Sequence, residues 1–279
     1  MSVRTGRGRV HLVVGFVAIT GLVCGFAAAP AGAAAARHSR TGALIPTKSH
    51  EKLPRHGGTA DSLNWAGYAV TPGSGVTAVD STFTVPTAGT VPPGFSATWA
   101  GIGGYSTSDL IQAGVSEQSL PSNSVLGDQY YAWYEILPAS ETQITGCVGD
   151  TNCTVNPGDS ITVDIYNVSG NTWSVNLSDA GHWTYSNDLT YASSESSAEW
   201  IQEAPTLEVQ TIPAPVGDVQ FGPTSTYTVG GTTQTIAAGD PTVIEESPVG
   251  EVNEATTSAL AADGQSFDVC VYAQTCSAP

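Results

Sequence analysis

The sequence predicts an all-β domain built as a two-sheet antiparallel sandwich. Three observations predict it. Short runs rich in Val, Ile, Thr and Tyr recur, and Gly, Pro, Asn and Asp punctuate them, as in NPGD at 156–159 and GG at 230–231. No long segment carries the 3.6-residue period of an amphipathic helix. Once the N-terminal segments are set aside, roughly 220 residues remain, which suits one large β domain. The strand runs are expected at 76–85, 96–102, 110–115, 130–137, 160–168, 172–177, 182–185, 198–203 and 267–272.

Residues 1–36 read as an export signal. Arg4, Arg7 and Arg9 form a basic start, an apolar run follows, and Ala31-Gly32-Ala33 is a small-residue cleavage site. Cys24 would leave with the signal. Residues 37–59 are polar and basic, with Arg37, Arg40, Lys48, Lys52 and Arg55. They read as a pro-segment or tether ahead of a globular part at 60–279. A pro-segment of that charge would neutralise an acidic domain near neutral pH and let go in acid.

The charge is strongly segregated. All 8 Lys and Arg lie at or before Arg55, and 24 of the 25 Asp and Glu lie from Asp61 onward. The globular part therefore has no Lys or Arg with which to pair its acids. It repels itself at neutral pH, and the repulsion falls as carboxylates protonate. This points to an exported protein that works in acid. It excludes nucleic acid as a partner, since no basic footprint exists.

Four cysteines follow the signal: Cys147, Cys153, Cys270 and Cys276. An even count in an exported chain reads as two disulfides, with three pairings possible. Cys147–Cys153 and Cys270–Cys276 are favoured, because each closes a short polar loop. No thiol is then left as a nucleophile.

Elimination narrows the chemistry. After His56 the one histidine is His182, beside a Gly turn, where a structural role is the ordinary one. A His-rich zinc site is excluded by count. No phosphate-binding G-x-x-x-x-G-K motif can exist without Lys. Carboxylates remain, with Gln, Tyr and Trp in support. In AEWIQEAP, strand alternation puts Glu199, Ile201 and Glu203 on one face and Trp200 and Gln202 on the other. In YYAWYEILP, Tyr131, Trp133 and Glu135 share a face. In DLIQAGV, Gln112 lies with Leu110 and Gly114.

Seven short motifs then occur in order: NWAGY at 64–68, VP at 85–86, WAGI at 99–102, IQAG at 111–114, AWYE at 132–135, PGD at 157–159 and AEWIQE at 198–203. Together they resemble the glutamic peptidases, the eqolisin or G1 family, formerly the A4 peptidases. The resemblance implies a lectin–glucanase-like sandwich and a secreted, pepstatin-insensitive acid endopeptidase. Its substrates would be polypeptides; it would need no cofactor, no metal and no membrane after signal cleavage, and would act as a monomer. By motif, the catalytic Gln is Gln112 and the catalytic Glu is Glu203, with Glu199 as the fallback. Trp99, Trp133, Glu135 and Glu199 would line or support the cleft. One departure stands out: fungal members carry Asp-Gly after WxGI, whereas this chain has Gly103-Gly104, so an acid that would tune the cleft is expected to be missing. Two other readings fit a β-sandwich. A glycoside hydrolase would pair acids such as Glu135 and Glu203 about 5–9.5 Å apart and would have no use for Gln112. A carbohydrate-binding or adhesive domain would cleave nothing.

Overall fold

The computed structural model describes residues 42–47, 53–54, 56–72, 75–121, 124, 128–207, 209–247 and 253–279. The expected export signal and the five cations of the 37–59 segment lie outside the described residues. Apart from a short 3-10 helix at Ile236–Gly239, the regular structure of the described chain is all strand: β1 Thr59–Ser62, β2 Trp65–Val70, β3 Val76–Thr84, β4 Gly94–Gly103, β5 Leu110–Ser119, β6 Gln129–Ile136, β7 Thr142–Gln143, β8 Ser160–Ser169, β9 Thr172–Asp179, β10 Trp183–Thr190, β11 Ala198–Glu203, β12 Asp218–Phe221, β13 Thr226–Val229, β14 Thr232–Thr235, β15 Thr242–Glu246, β16 Ala255–Thr257 and β17 Phe267–Val271.

Pairing sorts the strands into two layers. The first runs β6–β5–β4–β11–β2–β15, antiparallel at every step. Short β7 adds to the β6 edge and β1 adds in parallel to β15. The second runs β10–β9–β8–β3, and the far side of β3 pairs with β13 and β12. β12 continues to β17 and β16, and a single Glu246–Ala255 pairing ties β16 back to β15. This is the expected antiparallel sandwich.

Alternation explains the two cores. One face of the first layer carries Ala100, Ile102, Ala113, Val115, Ala198 and Trp200 against Val163, Ile165, Trp173, Val175 and Phe221 of the second. Fully burying such side chains contributes about 1.5–3 kcal/mol each. The Trp200 indole satisfies its N–H on the Asp80 carbonyl at 2.8 Å. The other face of the first layer has a core of its own: Trp65, Ala69, Ala97, Trp99, Tyr131, Trp133 and Ile201, joined by Leu44 and Tyr105.

Both favoured disulfides form, Cys147–Cys153 and Cys270–Cys276. Nine strand runs are expected from the sequence; β1, β2 and the short strands β7 and β12 to β16 are not. β2 is buried at all six positions because it lies between β11 and β15 and is covered on both faces, so it shows no polar alternation.

Candidate active site

The second face of the first layer gathers the residues singled out by motif. Register lays them in rows. Glu135, Gln112, Gly101, Glu199 and Ala69 stand side by side across β6, β5, β4, β11 and β2. The next row holds Trp133, Gly114, Trp99, Ile201 and Gly67. A third holds Tyr131, Ser116, Ala97, Glu203 and Trp65. The glycines make room for the indoles. A Cβ on Gly114 would meet the Thr98 carbonyl at 2.1 Å and Trp99 Cβ at 2.6 Å. A Cβ on Gly101 would meet Gln112 Cβ and the Trp99 ring, each at 3.0 Å.

Gln112 is fixed by its neighbour: its Nε2 donates to Glu135 Oε2 at 2.8 Å. That bond decides which end of the amide is nitrogen. Glu203 is held by three donors. Trp99 Nε1 donates to its Oε2 at 2.9 Å, and Asn64 Nδ2 and the Gly42 N–H donate to its Oε1 at 3.3 and 3.0 Å. Trp99 is itself set by Trp65, edge to face with ring centroids 4.9 Å apart. Glu199 contrasts with it. No donor reaches either oxygen at ordinary hydrogen-bond geometry, although the Ser197 hydroxyl and Tyr105 N–H are near enough to ease its charge.

Electrostatics separates the two acids further. Burial pushes both carboxyls well above the usual range. After burial, the charge that raises Glu203 is that of Glu135, the partner of Gln112. The charge that acts on Glu199 is that of Asp109. Although Glu199 shares a ladder row with Gln112, Glu203 is the acid on which the charge of Glu135, the partner of Gln112, acts.

An acid does stand beside Gly103, contrary to the expectation of a missing one. A Cβ there would lie 3.3 Å from Asp109 Oδ2. Burial works to raise Asp109, but the Ser194 N–H, at 2.6 Å, and the Thr107 and Ser194 hydroxyls outweigh it and hold the carboxyl below its ordinary value. Asp109, from the β4–β5 connection, thus stands beside Gly103, and its charge acts on Glu199.

Sequence reasoning missed two supports. Asn64 was visible only as the first letter of NWAGY, yet it bonds Glu203 and accepts from Ile45 N–H and the Ser62 hydroxyl. Glu141 accepts from Tyr131 at 2.7 Å, and Tyr131 accepts from Gln118 at 3.1 Å. No motif marked Glu141. His182 sits away from this face, at the β9–β10 turn, with Nδ1 2.7 Å from Asp179 Oδ2.

The whole constellation is covered. Gln112 and Glu199 are 0 % exposed, and Glu135 and Glu203 are 1 % exposed.

The profile of the Peptidase A4 family matches residues 63–269. Three solved structures align over nearly their whole length. A scytalido-glutamic peptidase with a transition state analog inhibitor is 19 % identical, with a TM-score of 0.57 over 75 % of this chain and 98 % of that one. SCP-B, a member of the eqolisin family in a complex with the tripeptide Ala-Ile-His, is 18 % identical, with a TM-score of 0.55 over 75 % and 98 %. Aspergilloglutamic peptidase from Aspergillus niger is 22 % identical, with a TM-score of 0.50 over 64 % and 99 %. At these identities the likeness establishes the fold. No curated protein sequence matches the chain.

Proposed function

The chain belongs to the Peptidase A4 family, the glutamic peptidases, and from that premise we propose a secreted, pepstatin-insensitive acid endopeptidase in which Glu203 and Gln112 do the chemistry. Glu203, as carboxylate, takes a proton from water; the hydroxide adds to the scissile carbonyl carbon. The Gln112 Nε2–H stabilises the oxyanion as it forms. Glu203 then returns its proton to the leaving nitrogen, the C–N bond breaks, and the carboxyl returns to its starting state. The substrate is a polypeptide, and the enzyme acts as a monomer without a cofactor.

One observation carries the assignment of the acid. Glu203 is the acid aimed by the Trp99 indole N–H, and the charge that acts on it is that of Glu135, the partner of Gln112. Glu199 keeps a supporting place. The Trp99 donor works to keep Glu203 ionisable, while burial works against it. In the covered form burial wins. Admitting water and substrate removes the larger of the two causes.

The test is digestion of a denatured protein at pH 3, with and without pepstatin, by processed enzyme. Glu203→Gln should abolish cleavage with the fold kept. Gln112→Ala should lose roughly 10²–10³ in rate, the usual effect of deleting one oxyanion donor. Full activity in Glu203→Gln would move the base to Glu199.

A further inference from the structure

One end of the second layer gathers metal-binding side chains that the active face does not use. Asp159 precedes β8, Asp179 closes β9 and His182 precedes β10, and these strands are neighbours in the order β8–β9–β10. Their ligand atoms, one from each side chain, all lie within 4.8 Å of one another. The closest pair is set already, with His182 Nδ1 2.7 Å from Asp179 Oδ2. A cavity of about 450 Å³ opens beside His182 and Asp179, with Asp150, Thr154, Asn156 and Trp183 on its walls.

The backbone fixes where the three stand. The His182 N–H donates to the Asp179 carbonyl at 3.0 Å, and Val148 and Thr184 exchange two backbone bonds of 2.9 Å. The Trp183 indole donates to the Thr154 carbonyl at 2.7 Å. A Cβ on Gly149 would meet the His182 carbonyl at 2.2 Å, so the loop closed by Cys147–Cys153 lies tight against the turn. Asp159 is set by its Oδ2, which accepts from the Asn156 N–H at 2.6 Å, and by its carbonyl, which accepts from the Val85 N–H at 2.9 Å. Asp150 has both oxygens taken by its own loop, from the Asn152 N–H at 2.9 Å and the Thr154 N–H at 3.0 Å.

We infer that Asp159, Asp179 and His182 form a binding site for a divalent transition-metal ion, with zinc as its type, which staples the adjoining ends of β8, β9 and β10. Charge calls for a cation here. The Asp179 side chain is 2 % exposed, and no Lys or Arg follows Arg55, so its positive partner is either a proton on His182 or a metal ion. Burial and then the charge of Asp159 push the Asp179 carboxyl up against the easing bond from His182, and Asp179 and then Asp159 push the His182 imidazole up. The donor set selects the ion. One imidazole nitrogen with two carboxylate oxygens suits zinc, whereas a calcium site of oxygens would have no use for the imidazole. Zinc bonds of about 2.0–2.2 Å put neighbouring ligand atoms roughly 3–3.4 Å apart. His182 Nδ1 and Asp179 Oδ2 need to part by only a few tenths of an ångström to reach that spacing. The His182 side chain is 62 % exposed and free to make that move. The ion requires a neutral imidazole and ionised carboxylates, so it binds near neutral pH and leaves in acid. Asp150, on the wall of the same cavity, adds to its attraction. The site lies on the layer opposite Glu203 and has no part in the proposed hydrolysis.

The test uses the full chain, stripped with a chelator, and compares wild type with His182→Ala and Asp159→Asn. Zinc chloride is titrated by calorimetry at pH 7 and pH 4, and thermal unfolding is followed with and without it. Zinc at about a hundred times its Kd should raise the wild-type melting temperature at pH 7 by roughly 5–10 °C. At pH 4 the shift should vanish. Each variant should bind zinc at least about tenfold more weakly at pH 7, and calcium chloride should leave the wild type unmoved. No zinc shift at pH 7 would overturn the site and leave an ion pair of His182 with Asp179. Equal zinc binding by wild type and His182→Ala would also overturn it, because the zinc would then sit on the histidines before residue 57. A calcium shift that survives His182→Ala would overturn it in favour of an oxygen-only site. Should His182→Ala fail to fold, Asp159→Asn carries the decision.

Discussion

At the scale of single residues, the indole of Trp99 decides how Glu203 behaves. Its Nε1–H is the strongest of the donors that lower the Glu203 carboxyl, ahead of Gly42 and Asn64, and the contact is 2.9 Å. Replacing Trp99 by Phe keeps an aromatic ring on the face and deletes that donor. A hydrogen bond to a charged group is worth about 1.5–3 kcal/mol. Losing it must raise the Glu203 pKa, since the donor favours the ionised form. A base with a raised pKa is lost to protonation at a higher pH, so the acid limb of kcat/KM should move up by about one pH unit. An unmoved acid limb would mean that Trp99 only fills space. Glu199→Gln is the contrast: with no donor at bonding geometry and a different charged neighbour, it should leave the rate within a few-fold. Sequence alone could put Glu199 and Glu203 on one face of one strand. Alternation could not rank them, because it is blind to which cross-strand neighbour each acid meets; the proposal of Glu203 leans on Glu135 and Trp99, which lie on other strands.

At the scale of elements, β4 and β5 shape the face by what they omit. Gly101 and Gly114 stand within the rows of Gln112 and of Trp99, and a side chain at either position would press on Trp99. Gly114→Ala would set a methyl 2.1 Å from a backbone carbonyl, where no flexible side chain can give way. Overpacking of this kind typically costs about 1–3 kcal/mol. Thermal unfolding should register a fall of that size. Because the strain acts directly on Trp99, kcat should fall further than the stability loss alone explains; a variant as stable and as active as wild type would rule out the tight fit. The motifs showed these glycines without their purpose. Long alternating strands such as β3 and β8 were legible, since half of each faces water. Strands of three or four residues such as β12 and β16 were not, since so few positions cannot establish a period.

At the scale of the whole molecule, acids without cations set the pH at which the fold is stable. The charge asymmetry was fully legible in the sequence; which acids are buried was not, because it depends on packing between layers. Glu117 is 0 % exposed, with no donor to either oxygen at ordinary hydrogen-bond geometry although the Thr98 hydroxyl is near enough to ease its charge, and burial pushes it up to about 8. Burial likewise raises Glu141 to about 8, Glu245 to about 7 and Asp164 to about 6. The direction of the effect follows from proton counting. Below the unfolded carboxyl value, near 4.5, these groups carry protons in both states and impose no penalty. As pH rises from there, the unfolded chain releases protons that the folded chain keeps, so stability falls, and it goes on falling until the folded groups ionise near 8. For Glu117 the span from the ordinary value of 4.5 to about 8 is worth several kcal/mol at about 1.4 kcal/mol per pH unit. The melting temperature should therefore be highest near pH 3–5 and decline steadily to pH 8. Glu117→Gln keeps the shape and removes the titration, so its decline should be shallower and its melting temperature at pH 8 higher than wild type. A wild-type profile that stays flat or rises over that range would mean these carboxyls meet water in the folded protein, and acid stability would then have to come from relief of surface repulsion alone.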